Sequence, residues 1–213
     1  MALVPCTDLS AAGWIADNDQ PWDKLVSFGP SGFSAYARLR FIPDPEHEGQ
    51  SENDVDHDVE RSPEAHVLCM AVDGLAGWTS TPDDCYFLLW DGWYSDLYGS
   101  DGPARPSRAP AFPRSVLDGP KVVLPNRAFL LFRGPLSDFG NWGAAVQWPG
   151  QPRSHMPGPA FVWPADHAWC VTKDVDPHWA GIGADALAIT SLMADDRLDV
   201  VYADPSEQPP RYR

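Results

Sequence analysis

Apolar and polar residues alternate most regularly over Phe33-Ser34-Ala35-Tyr36-Ala37-Arg38-Leu39-Arg40-Phe41. A period of two predicts a strand with Phe33, Ala35, Ala37, Leu39 and Phe41 on one sheet face. Ser34, Tyr36, Arg38 and Arg40 then fall on the other face, and Pro43 ends the strand. The period lengthens further on. Leu68, Val72 and Leu75 fall on one helical face, which predicts a helix over Ala65–Leu75 closed at Gly77. A second helix is expected over Ala184–Ala194, and a short opening helix over Asp8–Ala16 capped by Thr7 or Asp8.

Cys85-Tyr86-Phe87-Leu88-Leu89-Trp90 has neither period. The preceding Thr81-Pro82-Asp83-Asp84 has the chemistry of a helix start, yet six aromatic and aliphatic residues stopped by Asp91-Gly92 suit a buried strand, and 82–91 is read so. Further strands are expected at Lys121–Leu124 and Arg127–Arg133, joined by a Pro125-Asn126 turn, and at Ala160–Trp163, Ala168–Lys173 and Leu198–Ala203. Leu136–Trp142 suits one or two helical turns. Tyr94–Arg114 and Gln147–Pro159, rich in Gly, Pro and Ser, read as loops. Strands outnumber helices, no βαβ alternation occurs and no internal repeat is visible. The expectation is an α+β fold with a mostly antiparallel sheet and two main helices packed on one side, in a single domain spanning 1–213.

Charge changes the picture locally. The formal net charge is −15, and Asp44–Glu64 holds nine acids against Arg61 alone with almost no apolar residue, so about 44–64 is expected to be an acidic, mobile insertion. So acidic a chain disfavours nucleic acid and anionic membrane as partners, since both require Lys and Arg to neutralise phosphate. A basic protein partner is compatible with it. The apolar stretches Val67–Val72 and Cys85–Trp90 are too short to span a bilayer, and the residues after Met1 lack the pattern of an export signal. Cys6, Cys69, Cys85 and Cys170 show no paired spacing and read as reduced thiols, which places the protein in the cytoplasm.

The chain resembles an uncharacterised actinobacterial family. The residues that carry the resemblance are Gly32-Phe33-Ser34-Ala35-Tyr36-Ala37-Arg38, then Thr81-Pro82 leading to Trp90-Asp91-Gly92, and Pro125-Asn126-Arg127. The longest stretch is Trp163-Pro164-Ala165-Asp166-His167-Ala168-Trp169-Cys170-Val171, continuing through Asp176 to Gly181-Ile182-Gly183. The resemblance implies membership without an activity. Its members have Arg after the aspartate where this chain has His167.

Candidate chemistry is sparse. Asp166, His167 and Cys170 are the residue types of nucleophilic catalysis, but residues three apart on a strand point to opposite faces, and Asp166 also suits a turn cap. Spacing for a zinc site is absent, and Asp54-Val55-Asp56-His57-Asp58-Val59-Glu60 lacks the Gly and closing Glu of a calcium loop, so no metal and no cofactor is expected. Gly181-Ile182-Gly183 could turn into a helix N-terminus, but Asp174, Asp176 and Asp185 would repel phosphate there. Ten Trp residues remain. Trp93, Trp148 and Trp179 fall in expected loops, where rings reach the surface and can stack on a sugar or anchor a protein. The reading is a non-enzymatic acidic module that binds a basic protein through Trp93, Trp148, Trp179, Asp91, Asp166 and His167, of immunity or antitoxin type. An enzyme whose site assembles around Asp91, Asp166 and His167, and a carbohydrate-binding module using the loop tryptophans, are the alternatives.

Overall fold

The computed structural model describes residues 1–55, 62–102, 105–144, 148 and 156–213. In chain order the elements begin with β1 (Val4–Pro5), α1 (Gly13–Ala16), α2 (Trp22–Phe28), β2 (Ala35–Arg40), α3 (Glu64–Leu75) and β3 (Cys85–Trp90). Then come α4 (Tyr94–Leu97), β4 (Ser100–Gly102), β5 (Arg105–Arg108), α5 (Arg114–Leu117), β6 (Val122–Leu124) and β7 (Arg127–Gly134). The chain continues through β8 (Phe161–Pro164), β9 (Cys170–Thr172), β10 (Trp179–Ala184), α6 (Ala186–Met193) and β11 (Val200–Ala203). Among the described residues the sheet is mostly antiparallel, as the α+β reading expects. The residues gather into two compact units, the first Met1–Asn18 with Thr81–Ala165, the second Asp19–Ser80 with Asp166–Arg213.

In the first unit β7 is central. It pairs with β3 from Cys85↔Gly134 to Trp90↔Phe129, while β6 and β1 divide its other edge, and β8 lies beyond β3. Phe87, Leu88 and Leu89 are all fully buried, so both faces of β3 are covered and its apolar run needs no alternation. The Pro125-Asn126 turn is a two-residue hairpin. Pro125 supplies a fixed φ, and Asn126, at φ 68°, occupies the left-handed position that Asn tolerates. Trp163 stacks on Tyr86 at 5.6 Å and meets Trp14 edge-on at 6.2 Å. The stretch read as one loop from Tyr94 to Arg114 instead carries α4, the paired strands β4 and β5 and the start of α5.

In the second unit the strand order is β9-β10-β2-β11. Helix α6 packs on β2, β10 and β11, and α3 packs on α6. Leu68, Ala71, Val72 and Leu75 form the buried stripe of α3, and Gly74 lets Leu192 of α6 approach closely. Asp185 caps α6 by accepting the Leu187 amide at 2.8 Å, so Asp185 ends β10's run and starts the helix. Strand β10 corrects the sequence reading: Gly181-Ile182-Gly183 lies inside a strand whose six residues are all buried, not in a turn before a helix. In β2 the two-face expectation also changes, because Arg38 is buried as well as Ala37 and Leu39. Most of the Gln147–Pro159 loop, and Asp56–Glu60 of the acidic alternation, lie outside the described residues. Among the described residues no helix is long and apolar enough to cross a membrane.

Candidate functional site

The second unit carries a cleft of about 450 Å³ whose lining includes Trp22, Asp23, Glu52, Asp174, Asp176 and His178. Helix α2 presents Trp22 and Asp23, and Glu52 opens a single 3₁₀ turn capped by Ser51, whose hydroxyl accepts the Asn53 amide at 3.3 Å. Asp174, Asp176 and His178 come from the stretch between β9 and β10. Arg211, Tyr212 and Arg213 line the same cleft.

His178 joins the cleft to a charged network centred on Asp44. Arg38 binds it in bidentate fashion, Nη1 to Oδ1 at 2.6 Å and Nη2 to Oδ2 at 2.9 Å, and Arg40 Nη1 donates to Oδ2 at 3.0 Å. His178 Nε2 lies 3.1 Å from Oδ1. Arg40 also reaches Asp199, with Nη2 2.7 Å from Oδ1. Burial alone would raise the Asp44 carboxyl, but the bonds from Arg38 and His178 outweigh it and lower the group to about 2. Burial pulls His178 below the ordinary histidine range, and Asp44 offsets only part of that. The Arg38 guanidinium rests 5.6 Å over the Trp179 ring, which also packs against Phe28 at 5.2 Å. Asp44, at the start of the acidic segment, is thus a structural anion tying the chain to β2 and to His178 just before β10.

The residues read from sequence distribute between the units. Trp179 is not a loop ring: it opens β10 and is 1% exposed, hence part of the core. Asp166 caps a turn, accepting Thr79 Oγ1 at 2.8 Å, the Ser80 amide at 2.7 Å, Ser80 Oγ at 2.8 Å and the Ala168 amide at 3.1 Å. Burial raises its carboxyl, but these donors prevail and hold it below the usual carboxylate range. His167 is exposed with φ 55°, and burial of part of its ring lowers its pKa despite Asp166. Cys170 is buried, which pushes its thiol far up and away from thiolate chemistry.

Asp91, Trp93 and Trp148 belong to the first unit. Asp91 accepts the Tyr98 phenol at 2.6 Å and Lys121 Nζ at 2.8 Å, and Lys121 also donates to the Tyr98 oxygen at 2.9 Å. Burial and the bond to Asp91 raise the Tyr98 phenol. Trp93 meets Trp90 edge-on at 5.5 Å, Arg127 stacks on Trp90 at 4.6 Å, and Tyr94, 70% exposed, stacks on Tyr98 at 4.8 Å. The Trp90 ring fills the space a side chain on Gly92 would need. Trp148 is half-buried, edge-on to Phe112 at 5.5 Å.

Sequence reading missed Trp22, Asp23, Glu52 and His178 as parts of one site. The available signal was Asp174-Val175-Asp176-Pro177-His178, two carboxylates and an imidazole two residues apart before a strand. Among the described residues no group of His, Cys, Asp and Glu is arranged to hold a metal ion. Set against protein-family models, curated proteins and solved structures, the chain matches none.

Proposed function

We propose that this chain is a non-enzymatic binding protein that holds a basic protein partner at the acid-lined cleft of the second unit. The observation that carries the reading is the convergence of Asp23, Glu52, Asp174 and Asp176, from three separate stretches of sequence, on one cleft beside Trp22 and His178. Carboxylates in the same cleft as an indole ring complement arginine, which stacks on rings and forms bidentate bonds to carboxylates. The net charge of −15 steers a basic partner toward the surface and speeds encounter at low salt. The binding reading also fits the way Asp91 and Asp166 are engaged, each bonded to several donors. Neutralisation of a basic protein, as by an immunity protein or antitoxin, is the form of activity the charge favours.

The test compares the wild-type chain with a Glu52→Gln/Asp174→Asn/Asp176→Asn variant as bait at low ionic strength. A basic protein retained by the wild type, released by salt and lost from the variant supports the reading. Identical eluates from the two baits overturn it.

A further inference from the structure

After β11 the chain forms no helix or strand, yet Asp204–Arg213 lies along the second unit by a small set of contacts. Lys24 Nζ donates to the Glu207 carbonyl at 2.6 Å, the Tyr212 hydroxyl donates to the Pro43 carbonyl at 2.7 Å, and the Arg213 amide donates to the Gln50 carbonyl at 2.9 Å. The Tyr212 ring meets the buried His178 ring edge-on at 4.8 Å. Arg211 and Arg213 flank that ring on the cleft that Asp23, Glu52, Asp174 and Asp176 line. A main-chain hydrogen bond, an aromatic anchor and flanking charges opposite the pocket's charge are the contacts by which folded domains hold an extended peptide. Pro209 and Pro210 just before keep the segment extended at low entropic cost.

We infer that Arg211-Tyr212-Arg213 is an internal pseudo-ligand, an autoinhibitory strap that lies along the acidic cleft and is displaced by a partner segment of the same chemistry, arginine–aromatic–arginine in extended form. The inference rests on the proposed binding of a basic partner at this cleft and adds the partner's contact chemistry and its regulation. A tethered competitor acts at an effective concentration in the millimolar range. The affinity for an external segment falls by the fraction of molecules whose strap is open. A strap closed nine-tenths of the time weakens external binding about tenfold.

The probe is a fluorescein-labelled peptide with the sequence of residues 208–213, Gln-Pro-Pro-Arg-Tyr-Arg, titrated with the full chain at low salt and followed by anisotropy. The Arg211→Ser/Tyr212→Ala/Arg213→Ser chain is expected to bind it about tenfold more tightly than the wild type. Adding Glu52→Gln/Asp174→Asn/Asp176→Asn to that chain is expected to abolish binding. An Arg211→Ser/Arg213→Ser chain, which keeps Tyr212 packed on His178, shows the same direction with smaller size and guards against a loss of fold. Equal affinity of wild type and strap variants, with the acid dependence intact, overturns the strap while the basic-partner reading stands. Failure of the peptide to bind any of these folded chains overturns the strap and the acidic cleft together.

Discussion

The Ser27 carbonyl at the end of α2 stands over Gly181 of β10 so closely that a Cβ on Gly181 would lie 1.8 Å from the oxygen. The same carbonyl accepts the Thr172 hydroxyl of β9 at 2.8 Å, so it is pinned against the sheet and cannot yield. Helix α2, which carries Trp22 and Asp23 into the cleft, is therefore seated by a missing side chain. Gly181→Ala is expected to cost about 3 kcal/mol or more, by overpacking against backbone that has no room to move. Gly77→Ala, where a Cβ meets nothing within 4 Å, should change stability by well under 1 kcal/mol. Urea unfolding of the two variants checks the contrast.

Asp44 and His178 determine how the second unit responds to acid. The Asp44 carboxyl is depressed in the folded chain, so its contribution is complete above the unfolded value near 3.8 and is lost as pH falls through about 2. His178 is also depressed, so the unfolded chain takes up its proton first and stability begins to fall once pH drops below about 6.5. Both signs agree: the wild type loses stability toward acid in two successive windows. Asp44→Asn should cost about 3 kcal/mol at neutral pH, because Arg38 is left buried without its anion, and should flatten the lower window. His178→Phe should flatten the upper one. Denaturation midpoints measured from pH 7 to 2 separate the two.

Trp169 is fully buried and Trp148 is half-buried. Trp169→Ala should destabilise by roughly 3–5 kcal/mol, the range of large-to-small core changes. Trp148→Ala should cost less than half as much. Comparable losses in thermal unfolding would place Trp148 in the core with Trp169.

His167 holds a left-handed backbone at φ 55°, a conformation that costs a residue with a side chain about 1 kcal/mol. His167→Gly should therefore raise stability slightly, by up to about 1 kcal/mol. Asp166→Ala beside it should lower stability by about 2 kcal/mol through loss of the bonds from Thr79, Ser80 and Ala168. A stability gain in the glycine variant, accompanied by weaker retention of a basic partner, would mean that the imidazole is kept for contact and not for the turn.

The elements legible in the sequence are those whose pattern reflects their own burial. The Cys85–Trp90 run, the Leu68/Val72/Leu75 stripe and the Pro125-Asn126 hairpin each announce their environment through their own side chains. Strand β10 could not be read this way. Gly181 and Gly183 look like turn residues, but they are glycines because Ser27 and Phe33 press on them, and that pressure is written elsewhere in the chain. The same holds for Arg38, which the alternation places on the polar face of β2 and which Asp44 and the Trp179 ring hold buried. Asp166 was legible as a turn cap through the Ala168 amide two residues on, whereas its donors Thr79 and Ser80 come from a distant part of the sequence. The cleft was not, since Asp23, Glu52 and Asp174 meet only once β10 has brought its ends beside α2.

The interleaving of the two units has a consequence for the nascent chain. Strand β2 pairs only with β10 and β11 among the described residues, and both are translated after Thr81–Ala165 of the first unit. At ordinary ribosomal speeds β2 waits on the order of 10 s for its first hydrogen-bonding neighbour, with Ala37 and Leu39 uncovered. The first unit, whose strands β3, β6, β7 and β8 are contiguous in synthesis apart from β1 at the start, can close in that interval. Residues 81–165 can therefore fold before β2 finds its partners, and β2 is the stretch that a chaperone at the exit tunnel would have to shield.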